Sequence, residues 1–166
     1  MGEIIKTKRQ SGIAWAKLGQ AAAVVVAAPF LAGAGSLWWK LGHLPGAAGH
    51  LAKAQVLGAA LFAFGVGLGI IGAAFTLAAR TLHRRTLCTA LTLFGLSHVL
   101  FGFYVRYAIE ATATNSQPPT LPVVIPVALW AYSVLLAFKA PRLAAAQKAK
   151  AEEEVSQEQP QLLSRP

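Results

Sequence analysis

Residues 93–110 read LFGLSHVLFGFYVRYAIE and place His98, Arg106 and Glu110 in a stretch that is otherwise apolar. An imidazole there has three chemistries open to it: a hydrogen-bond partner, a proton carrier, or a metal or haem ligand. Haem held by two histidines needs a second one at the same depth. His43 and His50 fall in one connection and His83 in another, and Met1 is the sole methionine. No cofactor is therefore expected, and haem ranks low. The chain has no Asp, and its Glu residues avoid the middle of every apolar stretch, which removes a carboxylate relay. The expected role of His98 is a neutral donor within a protein interior. Its candidate partners are Ser133 and Trp130 in the last apolar stretch, or the Val25 carbonyl, whose helical donor Pro29 removes. Arg106 and Glu110 stand four residues apart, on one helix face, and are expected to pair near an interface beside Tyr104 and Tyr107. A sharper alternative puts Arg106 as guard of a cleft with His98 at its base, taking a small molecule, a lipid or an ion.

Other motifs carry less. GVGLGIIG at residues 65–72 contains GxGxxG, yet no strand precedes it and no acidic residue follows at the required distance, so dinucleotide binding is not expected. A single cysteine, Cys88, excludes an intramolecular disulfide and a CxxC redox pair. His43 and His50 lack carboxylate or cysteine support, and no metal site is predicted from them. Asn115-Ser116-Gln117 is not a glycosylation acceptor, since Gln117 stands where Ser or Thr is needed. No HExxH, nucleophile–base pair or carboxylate pair is present, so an enzyme is not the favoured class.

The elements that must position these residues follow from composition. Of 166 residues, 55% are hydrophobic and 13% charged, about half the charge usual in a soluble domain. Uncharged runs at residues 18–39, 54–79 and 121–138, and the run 87–109 that holds His98 and Arg106, are each long enough to cross a bilayer as a helix. The expected fold is an all-α integral membrane protein, a four-transmembrane-helix bundle over residues 18–138. Residues 1–17 form a basic N-terminal segment, and residues 139–166 form a tail that starts helical (143–155) and ends disordered.

Twelve Lys and Arg lie in the N-terminal segment, the connection between the second and third runs, and the tail; three lie elsewhere. The positive-inside rule then puts both termini in the cytoplasm, with Trp38 and Trp39 at the outer interface. A signal peptide over residues 1–34 is the rival reading, and it would leave three spans. The net charge of +9 flanks apolar runs without interleaved aromatics, so the expected partners are anionic lipid headgroups, not nucleic acid.

Small residues say which helix sits centrally. Gly58, Gly65, Gly69 and Gly72 fall on one face of the second helix, and Ala60, Ala63, Gly67, Ala74 and Ala78 fall on another. Gly95 and Gly102 flank His98 on the third. Close helix contact in lipid needs such residues, so the second helix is expected to have two close neighbours. The functional expectation is a non-enzymatic subunit, scaffold or assembly factor, bound to a membrane-protein partner or to copies of itself. The membrane would be a bacterial cell or inner membrane. In a eukaryote it would be an endosomal or lysosomal one, since EQPQLL near the C-terminus fits the acidic-dileucine sorting pattern.

Overall fold

The computed structural model describes the backbone of residues 2–45, 49–114 and 121–163, and the side chains of residues 15–45, 49–112, 114 and 123–153. Helix accounts for nearly all of it: α1 (Gly2–Gly42), α2 (His50–Ala78), α3 (Leu82–Ala113) and α4 (Leu121–Leu163). No strand occurs among the described residues. All four helices are long and apolar enough to cross a membrane. Even α2, the shortest at 29 residues, reaches about 43 Å against a hydrocarbon core of about 30 Å.

The helices run past the apolar segments. α1 takes in the basic N-terminal segment, and α4 continues unbroken to Leu163. The tail is thus an extension of the fourth helix, and residues 156–163, expected to be disordered, are helical. Ala and Lys/Glu runs such as AAAQKAKAEEE carry the helix on, because these are strong helix formers, with Lys148 Nζ and Glu152 Oε1 paired at 3.7 Å.

Each helix packs on its sequence neighbours, α1 on α2, α2 on α3 and α3 on α4; no other pair packs together among the described residues. The bundle is therefore an open row. Three seams hold it, and each is made of small residues seven apart. Between α1 and α2 lie the buried Ala27 and Ala34 on one side, with Ala60 and Gly67 on the other. Between α2 and α3 lie Gly58, Gly65 and Gly72, facing Gly102 and Gly95. The third seam has Ala90 and Ser97 on α3, with Pro126, Ser133 and Ala140 on α4, all buried. A seven-residue spacing keeps one stripe facing its partner along the whole length of two helices crossing at a shallow left-handed angle.

The α2–α3 seam is the closest. A Cβ on Gly65 would lie 2.5 Å from the Gly95 carbonyl oxygen and 2.6 Å from the Val99 nitrogen. At Gly72 it would meet Thr92 at 2.6 Å, and at Gly102 the Gly58 oxygen at 2.7 Å. Only glycine lets the two backbones approach so near. Gly69 differs: a Cβ there meets nothing within 4 Å, although its own nitrogen would lie 2.5 Å from a Cβ on Gly95. Its backbone belongs to the seam, while its side-chain direction points out of it.

The buried hydroxyls are satisfied within their own helices. Ser97 Oγ donates to the Phe94 carbonyl and Ser133 Oγ to the Trp130 carbonyl, both at 2.7 Å. Each small polar residue thus packs like an alanine at a seam, with no unpaired group to offset.

Candidate functional site

Because α1 and α3 both pack on α2 but not on each other, a groove lies between them with α2 as its floor. One part of it is a cavity of about 620 Å³ lined by Leu31, Ala34 and Trp38 of α1, Phe64 and Leu68 of α2, and His98 of α3. The other part, about 560 Å³, lies toward the α2–α3 turn, where Lys17, Gln20, Phe75, Arg80, Arg84 and Leu87 are among its lining. At about 100° per residue the α2 residues of both parts fall on one face, so they are two stretches of a single groove. From Lys17 to Trp38 is 21 residues along α1, about 32 Å, close to the thickness of a bilayer's hydrocarbon core.

His98 lines the first of these two parts. Its Nδ1 lies 2.8 Å from the Phe94 carbonyl oxygen, four residues back in the same helix. A carbonyl only accepts, so Nδ1 carries a proton, and in the neutral ring Nε2 is then the acceptor. Phe94 and Phe64 hold the ring, with centroids at 4.3 Å and 5.5 Å. Nε2 has no hydrogen-bond partner among the described residues. The expected partners are elsewhere: Ser133 and Trp130 bond within α4, Trp130 is exposed on α4, and Val25 belongs to a helix that does not pack on α3. A local acceptor is always at hand in a helix, and a ring nitrogen reaching back four residues takes it without any interhelical contact.

Arg106 and Glu110 do pair, Nε to Oε1 at 3.2 Å, and both side chains are exposed. They line a different cavity, of about 490 Å³, with Gln55, Gly58, Phe62 and Phe103. Its α2 residues face nearly opposite to those of the His98 cavity, so the close-packed α2–α3 seam separates the two. Arg106 is also eight residues, about 12 Å, further along α3. The structure does not bring His98 and Arg106 together.

The basic end of the groove was visible in sequence only as a charge count. Three arginines at the α2–α3 turn and the start of α3 have different fates there. Arg85 Nε donates to the Ala79 carbonyl at 2.8 Å and closes the turn at the end of α2, the place where a cation and a donor both help. Arg80 and Arg84 project to the groove instead, with Lys17 of α1 opposite. The Thr81 side chain makes no capping bond to α3. At the other end, His43 stacks on Trp39 at 4.1 Å, and its Nδ1 lies 2.8 Å from the Trp39 carbonyl oxygen. The Asn115-Ser116-Gln117 segment lies outside the described residues, as do the side chains of residues 158–163.

No protein-family model matches the chain, and no curated protein or solved structure matches it either. Chemistry and geometry alone carry the functional reading.

Proposed function

We propose that this is a small multi-pass membrane protein, both termini cytoplasmic, that works as a non-enzymatic subunit, scaffold or assembly factor of a larger membrane complex. The open row supports this most directly. α1 and α4 each pack on one neighbour among the described residues, leaving the two ends of the row with apolar flanks. Lipid also covers such flanks, and the α1 glycines argue for a helix there instead. Gly19 and Gly33 meet nothing within 4 Å where a Cβ would stand. Glycine inside a helix costs about 0.5–1 kcal/mol relative to alanine, and no contact among the described residues offsets it. Close approach of another helix would.

The test is crosslinking in native membranes followed by sizing in mild detergent. Wild type should run with a stoichiometric second component, either another protein or a copy of itself. Gly33→Leu should release a folded single chain. A wild type that is a lone chain in both measurements would overturn the proposal.

One observation favours a second reading, small-molecule or lipid handling: the unengaged Nε2 of His98 in an apolar cavity of about 620 Å³, a size usual for ligand sites. An acceptor among uncharged walls suits a neutral ligand carrying one O–H or N–H. On this reading, wild type retains such a molecule in native mass spectra and His98→Phe does not. Identical spectra would remove it.

A further inference from the structure

We infer that the basic end of the α1–α3 groove is a binding site for an anionic phospholipid, its phosphate held by Lys17, Arg80 and Arg84 and an acyl chain lying beside Phe75 and Leu87. Three separate elements bring these cations to one cavity: α1, the α2–α3 turn and the first turn of α3. None of the three forms an ion pair with a carboxylate among the described residues. Like charges gathered at one mouth repel unless an anion joins them. Arg85 differs: its guanidinium closes the turn on the Ala79 carbonyl, while Arg80 and Arg84 line the cavity. The Thr81 hydroxyl, without a capping bond, lines the same cavity and adds a donor there.

What lies behind the cations decides the ligand class. The cavity continues between Phe75 of α2 and Leu87 of α3, with Ala16 and Ala78 leaving room. A free phosphate would fill the charged mouth and leave this apolar depth empty. A phospholipid fills both. Its level also fits, because Lys17 stands about 32 Å along α1 from Trp38, one hydrocarbon thickness from the aromatic end. Basic pockets between helices at a membrane's cytoplasmic face are where such headgroups are held. The site goes beyond the subunit proposal and does not depend on it, since a lone chain in a bilayer would carry the same groove.

Native mass spectrometry of the full chain, released from micelles containing phosphatidylglycerol or phosphatidylcholine of equal chain length, tests it. Wild type should keep one phosphatidylglycerol in preference to phosphatidylcholine. Lys17→Gln/Arg80→Gln/Arg84→Gln should lower that retention by about tenfold or more. Lys139→Gln/Arg142→Gln/Lys148→Gln removes as many charges from α4 and should change it less than about twofold. If the first triple variant fails to fold by circular dichroism, Arg80→Gln alone should still lose about threefold. Equal losses in both triple variants would mean diffuse surface charge and overturn the site. So would the absence of any lipid preference, or no loss in the groove variants. Complete displacement by millimolar inorganic phosphate would show an anion pocket without a lipid, and would overturn it too.

Discussion

Gly65 and Gly69 are the same residue one helical turn apart, yet their surroundings set opposite expectations. A methyl group on Gly65 collides with backbone atoms of Gly95 and Val99, and backbone cannot step aside as a side chain can. Gly65→Ala should therefore destabilise the α2–α3 pair by about 1–3 kcal/mol, the usual cost of overpacking. A methyl group on Gly69 enters open space, so Gly69→Ala should be neutral within about 0.5 kcal/mol, or slightly stabilising through helix propensity. Thermal unfolding of both variants in one detergent, followed by circular dichroism, checks the pair. Equal losses would mean that the seam is not as close as it stands here. His98 teaches a related lesson at the same scale. Nothing in LFGLSHVLFGF tells whether a histidine bonds across helices or within its own. The Phe94 carbonyl wins because it is already in place and requires no partner helix to be ordered first.

At the scale of elements, the four helices were legible because lipid-length apolar runs leave a chain few other ways to satisfy its backbone. Their ends were less legible. α1 and α4 run on through charged sequence, where hydropathy falls silent but Ala, Lys and Glu keep good helix propensity. The small residues of α2 could be read as two faces, and α2 packs between α1 and α3. The α3–α4 seam was missed, although its signal was present: Ala90 and Ser97 on one helix, Pro126, Ser133 and Ala140 on the other, at the same seven-residue spacing. Serine and proline do not register as packing residues when only Gly and Ala are counted. In this protein a serine that bonds its own helix occupies a seam as alanine does. The basic mouth of the groove was illegible for a different reason. Lys17 is more than sixty positions from Arg80 in sequence, and only the packing of α1 on α2 brings them to one cavity.

At the scale of the whole molecule, the row has two chemically distinct ends about one hydrocarbon thickness apart. One end carries Lys17, Arg80, Arg84 and Arg85; the other carries Trp38, Trp39 and the exposed Arg106–Glu110 pair. Four antiparallel helices in sequence order put both termini at the basic end. In the proposed orientation this end faces the cytoplasm, the side on which the positive-inside rule retains Lys and Arg near span ends. The expected outcome is that tags at both termini are cleaved by protease only in inside-out vesicles. A second measurement makes the cause explicit. If the charge difference orients the chain, replacing Arg80, Arg84 and Arg85 by Gln while adding lysines to the connection between α3 and α4 should produce a mixed population with tags on both sides. Opposite exposure of the two wild-type tags would mean an odd number of spans, as removal of the first helix would give. An unchanged orientation in the charge-swapped chain would show that the packing of the row, and not its cations, decides which way the molecule faces.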